Sequence, residues 1–210
     1  MDVALNNTWN KIIYKIGSSF YDKLFNTGAF LKTRKRIFQE VPFQRKQKIL
    51  YVGIGTGADL ELINYVDYDI TAIDYSPDML AKAQHKFEHS SINFLEMDAQ
   101  KMSFADESFD YIVASLILSV VPNENKCFEE MIRVLKKDGR ILIFDKFAPK
   151  NQKLTLTKKL VRPFISMLGT DIGRSFEELF NQNDYRLKII RDESVMLKGM
   201  YRYIEVIKLS

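Results

Sequence analysis

At 210 residues, 46% hydrophobic and 28% charged, the chain has the size and balance of one globular domain with a sizeable core, and is small for two. A formal net charge of +4 permits an anionic partner without demanding one. One cysteine, Cys127, excludes an internal disulfide and a cysteine-rich zinc site, and the chain shows neither a signal-peptide core nor an apolar run of transmembrane length, so the expectation is a cytoplasmic protein.

The first 46 residues read as helical. From residue 47 strand-like and helix-like runs alternate: KILYVG (48–53) as a strand, ADLELINYV (58–66) as a helix, YDITAID (68–74) as a strand. SPDMLAKAQHKFEH (76–89) follows as a helix, with Ser76 as its cap, Pro77 at its first position and Asp78 in its first turn. INFLEM (92–97) is a third strand, and FDYIVASLIL (109–118) a fourth, apolar enough to be buried on both faces. NENKCFEEMIRVLKK (123–137) is a helix that Asp138-Gly139 should stop, with Cys127 on its packed side; RILIFDKF (140–147) is a fifth strand. RLKIIRDESVML (186–197) and YRYIEVIKL (201–209) are separated only by Lys198-Gly199-Met200, too little for a helical crossover, so they should pair antiparallel. The expected fold class is α/β: a Rossmann-like, seven-stranded, mostly parallel sheet with an antiparallel C-terminal hairpin and helices on both faces. Within a single domain, 1–46 forms an N-terminal helical cap, 47–147 a cofactor-binding core, 148–184 a helical lid and 185–210 the hairpin.

In open α/β sheets ligands sit at the carboxyl ends of the strands. The first strand ends in Gly53, Gly55 and Gly57, which let backbone approach a ligand where a Cβ would block it. Gly53, Gly55 and Ala58 also satisfy the dinucleotide pattern G-x-G-x-x-G/A, so the glycines alone do not choose between a nicotinamide, a flavin and another nucleoside-bearing ligand. Asp74 ends the second strand about 20 residues on, where a carboxylate accepts from ribose hydroxyls. Asp98 follows the third strand, placed to accept from an exocyclic amine such as adenine N6, and residues 115–122, beginning at Ser115, follow the fourth on the reaction side.

These segments together resemble the class I S-adenosylmethionine-dependent methyltransferases over residues 48–147. VGIGTGADL is similar to that family's glycine-rich first motif, AIDYSPDML to its ribose-binding second, and NFLEMDAQKMSFADESFDYIVAS to its adenine-binding third. The resemblance implies S-adenosyl-L-methionine as donor and S-adenosyl-L-homocysteine as product. It sets Gly53, Gly55 and Gly57 along the methionine and ribose, Asp74 on the ribose hydroxyls, Tyr75 and Met79 near the adenine, and Asp98 at adenine N6 with Ala99 supplying backbone. Within the family the chain looks most like the phosphatidylethanolamine N-methyltransferase-like proteins and the ubiquinone/menaquinone C-methyltransferases. YDKLF (21–25) resembles an early segment of these, which implies that Tyr21 helps close the cofactor site. The Asn-Pro-Pro-Tyr type of tetrapeptide of nucleic-acid amino-methyltransferases is missing after the fourth strand, which argues against a nucleic-acid substrate.

Methyl transfer from a sulfonium is an in-line displacement in which the enzyme mainly aligns the nucleophile and excludes water, so no triad or metal cluster is required. Tyr21, Asp145 and Asp171 are the candidate bases or orienting groups. The stretch KLTLTKKLVRPFISMLG (153–169) is basic and amphipathic and suits an anionic membrane surface; it suits a lid better, because Pro163 interrupts the helix. His85 and His89 lie one turn apart with no third ligand in view, so a solvated helix face is expected and no metal. The expectation is therefore an enzyme that methylates a small molecule or lipid headgroup, such as the amine of phosphatidylethanolamine. The alternatives are a quinone-type C-methyltransferase, another small-molecule methyltransferase, or a regulatory module that only binds the donor. A nicotinamide dehydrogenase is disfavoured by the antiparallel ending.

Overall fold

A computed structural model describes residues 26–148, 173–183 and 186–210. Seven strands form one sheet: β1 (Lys48–Val52), β2 (Asp69–Asp74), β3 (Asn93–Glu96), β4 (Phe109–Ser115), β5 (Leu135–Lys146), β6 (Leu187–Met196) and β7 (Tyr201–Lys208). Their order is β3-β2-β1-β4-β5-β7-β6. The first five run parallel, and β7 pairs antiparallel with both β5 and β6. The chain builds outward from β1 to β3, then returns to lay β4 on the other side of β1. That reversal opens a crevice at the carboxyl ends of β1 and β4.

Alternation along the strands feeds two cores. Leu50, Val52, Ile112, Ala114, Ile141 and Ile143 face Phe128 and Met131 of α3 (Glu124–Val134) and Phe176 and Leu179 of α4 (Phe176–Asn181). The intervening residues Ile49, Tyr51, Tyr111, Val113 and Phe144 face Ile37 and Phe38 of α1 (Gly28–Glu40) and Leu80 of α2 (Pro77–Lys86). This period of two, buried on both sides, makes the central strands nearly continuous apolar runs.

Ser76 caps α2 as its sequence predicts, its hydroxyl accepting from the Met79 N–H at 3.4 Å, with Pro77 in the first turn. Cys127 is fully buried, and burial pushes its thiol pKa up. Two expectations need correction. Residues 58–66 do not form an α-helix but two single 3-10 turns, Leu60–Leu62 and Tyr65–Asp67. Asp59 before the first turn does not cap it; its carboxylate pairs with buried Arg34 of α1 at 2.6 Å. The helix expected over 123–137 ends at Val134, and Leu135 already pairs with Phe109 as β5 begins. Asp138, at φ 59°, turns within that strand rather than stopping the helix.

Donors from elsewhere in the chain explain that early stop. Glu107 N–H donates to the Arg133 carbonyl and Ser108 N–H to that of Val134. Buried Lys208 of β7 donates its ammonium to the carbonyls of Ile132 at 2.9 Å and Leu135 at 2.7 Å, a cationic cap on the negative end of α3. Lys208→Met keeps the buried stem and removes the donor; we expect a loss of about 1–3 kcal/mol in chemical denaturation, the cost of leaving buried carbonyls without their charged partner. An unchanged midpoint would show that water replaces the ammonium freely.

Candidate functional site: the carboxyl edge of the sheet

The loop after β1 is built from left-handed backbone. Gly53, Gly55 and Gly57 have φ of 71°, 57° and 78°, a region that residues with a Cβ rarely adopt. The three differ in what surrounds them. A Cβ at Gly53 would lie 2.6 Å from Ile117 Cδ1 and one at Gly57 2.7 Å from Phe87, whereas the space above Gly55 is open for 4 Å. Two glycines therefore serve close packing, and the middle one fronts an empty approach.

Asp74, the last residue of β2, organises this loop. Its Oδ2 accepts the Gly55 N–H at 2.7 Å and its Oδ1 the Ser76 N–H at 2.8 Å. Burial raises the pKa of its carboxyl above the ordinary range, with backbone donors at Ser76, Gly55 and Tyr75 pulling it back. Tyr75 is exposed beside it, while Met79, one turn into α2, is buried. Asp98 follows β3: its Oδ1 accepts from the backbone and side-chain nitrogens of Gln100 at 2.9 and 3.0 Å. Gln100 Oε1 accepts the Asn123 N–H at 2.9 Å, and Asn123 Oδ1 caps α3 at the Lys126 N–H. Neither Gln100 nor Asn123 was marked in the sequence, although Asn just before a helical run is itself a capping signal. Asp98 also lines an open cleft of about 480 Å³, with Lys101 and Glu130 among its other walls; Ala99 is buried next to it.

Ser115 closes β4 and is half-buried. Leu116 then turns left-handed at φ 57° while its N–H stays on the Phe144 carbonyl at 2.8 Å. This turn sends Ile117 against Gly53. Where the sequence offered Asp145 as a base, the structure gives its carboxylate two backbone N–H groups to hold, those of Ser119 at 3.1 Å and Lys146 at 2.8 Å. The side chain has no solvent exposure, and burial raises its pKa. Tyr21, Asp171 and residues 153–169 lie outside the described residues, as do 1–25 and most of the expected lid. His85 and His89 are 86% and 93% exposed, each 3.5 Å from Glu88, the solvated face the sequence indicates. Among the described residues no group of three His, Cys, Asp or Glu is placed to share a metal ion. Gly53, Gly55, Gly57, Asp74, Asp98 and Ser115 thus gather along one edge, at the ends of β1, β2, β3 and β4.

The family model described as "Methyltransferase domain" matches residues 50–143. The chain is 32% identical over 164 residues to a phosphatidylethanolamine N-methyltransferase of Cereibacter sphaeroides, a match covering 76% of this chain and 79% of that one. It is 30% identical over 173 residues to a demethylmenaquinone methyltransferase of Staphylococcus aureus (strain MRSA252), covering 77% and 72%. Among solved structures, a chain of the complex between the Haloferax volcanii Trm112 methyltransferase activator and a methyltransferase matches with a TM-score of 0.76 at 16% identity, over 94% of this chain and 98% of that one, a likeness of fold. Sequence shared over most of both lengths with curated methyltransferases, on a mostly parallel seven-stranded sheet with an antiparallel C-terminal hairpin, settles the family: the chain belongs to the class I S-adenosylmethionine-dependent methyltransferases.

Proposed function

We propose that the protein transfers a methyl group from S-adenosylmethionine to the primary amine of a phosphatidylethanolamine headgroup. One observation carries the donor site: the Asp74 carboxylate fixes the Gly55 N–H, and the space directly over Gly55 is open. A ribose laid across that gap meets a carboxylate already oriented by backbone donors, which is the preorganisation that makes charged hydrogen bonds effective. Tyr75 and Met79 flank the adenine in this reading, Asp98 accepts from its amine, and Ala99 and Ser115 offer backbone. The donor, once bound, supplies an electrophilic methyl on sulfonium. The chain's part is to hold it, exclude water and aim the acceptor along the line of displacement.

The acceptor assignment rests on the likeness to a phosphatidylethanolamine N-methyltransferase. The headgroup amine is an ammonium at neutral pH and must lose a proton before or during attack. This reading gives that proton to Tyr21 or Asp171, since Asp74, Asp98 and Asp145 already hold neighbouring N–H groups. In this reading 1–46 and 148–184 cover the acceptor, with Tyr21 and Asp171 as the groups meeting it. The protein works from the cytoplasmic side on lipid presented at a membrane surface; no described helix is long and apolar enough to cross one. The likeness to a demethylmenaquinone methyltransferase favours a quinone carbon instead, and the two readings separate in one experiment. Protein incubated with methyl-labelled S-adenosylmethionine is given vesicles containing phosphatidylethanolamine, or vesicles of phosphatidylcholine carrying a demethylated menaquinone. Label is expected in the ethanolamine lipid alone; label only in the quinone would transfer the assignment to carbon.

A further inference from the structure

We propose that Arg174 is a positioning residue for methyl transfer, its guanidinium holding the loop after β4 in the shape that presses Ile117 against Gly53. The inference rests on the donor site proposed above and deepens it. Residues 116–121 leave β4 through a strained turn, since Leu116 at φ 57° occupies a region that costs an ordinary side chain free energy. Such a turn persists only where its surroundings hold it. Three tethers do so: the Leu116 N–H on the Phe144 carbonyl, the Ser119 N–H on Asp145, and Arg174.

Arg174 makes the double contact. Its Nη1 donates to the Leu118 carbonyl and its Nη2 to that of Val121 at 2.7 Å, with a Glu124 oxygen 3.5 Å away. The guanidinium is 7% exposed and both loop residues are buried. The Arg174 carbonyl in turn accepts the Ala148 N–H at 2.8 Å, just past β5. Arg174 therefore staples the end of β5 and the start of α4 to a loop more than fifty residues earlier in the chain. The planar fork matters here. It reaches two carbonyls three residues apart at once, which a lysine ammonium on a flexible stem does less well. On the far side of the loop stands Ile117, its Cδ1 at the place a Gly53 side chain would need. If the carbonyls are released, Leu116 relaxes out of its left-handed turn, Ile117 swings from Gly53, and the glycine loop that presents Gly55 loses that packing.

The test uses the full chain and reads the loop separately from the donor. Hydrogen exchange of free protein should show amides 118–121 exchanging at least tenfold faster in Arg174→Ala and Arg174→Lys, with α2 unchanged. Calorimetric titration of S-adenosylhomocysteine should show at least tenfold weaker binding to both variants, with partial recovery when millimolar methylguanidinium is added to Arg174→Ala. Equal urea should restore nothing. The lysine variant keeps the charge, so it serves where the alanine variant does not fold. Unchanged exchange at 118–121 in a folded variant overturns the clamp, as does unaltered S-adenosylhomocysteine affinity alongside faster exchange. Failure of wild-type protein to bind S-adenosylhomocysteine would instead overturn the donor site, while the exchange data would still report on the loop.

Discussion

Arg202→Ala is expected to lower stability by about 3–5 kcal/mol, which in a chain of this size lowers the melting temperature by about 10 °C. Arg202 lies on β7 with a side chain only 2% exposed. Its Nε and Nη2 form a fork on the two oxygens of Asp192 in β6, at 3.0 and 2.6 Å, and Nη2 also lies 2.9 Å from Glu177 of α4. The guanidinium carbon stands 5.3 Å from the centre of the Phe176 ring and 5.8 Å from that of Phe147. Truncation leaves a cavity beside the aromatic rings and removes the counter-charge from Asp192, itself only 12% exposed. An uncompensated buried carboxylate is the larger part of the cost. The double variant Arg202→Leu with Asp192→Leu should accordingly recover most of the loss in thermal and denaturant unfolding. A single variant within 1 kcal/mol of wild type would mean that the cluster is solvated and its charges independent.

Asp74→Ala should weaken donor binding at least about 100-fold, measured by calorimetry with S-adenosylhomocysteine. Hydrogen bonds to a charged group each contribute about 1.5–3 kcal/mol, and in the donor site proposed above two ribose hydroxyls would lose their acceptor together. The substitution also frees the Gly55 N–H, so the loop loses its brace. An opposed pair of pH trends accompanies this. Because burial raises its pKa, the Asp74 carboxyl holds its proton more tightly in the folded chain than in the unfolded one. Its contribution to stability is full below the ordinary carboxylate range and is lost as pH rises through the raised value. Donor affinity should run the other way, since in the proposed site the hydroxyls would donate to the ionised form, and should fall on acidification through the same window. Asp74→Ala removes both trends; wild-type affinity in that variant would displace the site from the end of β2.

The sheet was legible because its signals are local. Apolar runs at the right spacing mark β1, β2, β4 and β5, and three residues between 197 and 201 force an antiparallel pair. The left-handed loop of Gly53, Gly55 and Gly57 after β1 and the place of Asp74 at the end of β2 were legible for the same reason, their signals being local. The errors fall where a distant partner decides. Residues 58–66 carry a helical spacing, yet Asp59 is drawn to Arg34, 25 residues earlier, and the segment breaks into 3-10 turns. The end of α3 depends on Lys208, more than seventy residues later. The partners of Asp145 are equally hidden in sequence, since only the fold shows that the Ser119 N–H reaches its carboxylate. Arg174 and Arg202 carry no local mark at all, since a lone arginine in sequence does not disclose which carbonyls or carboxylates it will meet.

The place of β7 has a further consequence, for synthesis. It lies between β5 and β6, two strands made before it, and each of them touches the other only through it. Until β7 leaves the ribosome, a nascent chain carries β5 with one row of backbone N–H and C=O groups unmatched, β6 with no place to dock, and Asp192 without its guanidinium. The parallel half can assemble early, but it does so with an open, apolar edge of the kind that recruits other chains. The last two strands can therefore join the sheet only together, as a hairpin docked through β7, and the edge of β5 stays uncovered until that hairpin is made.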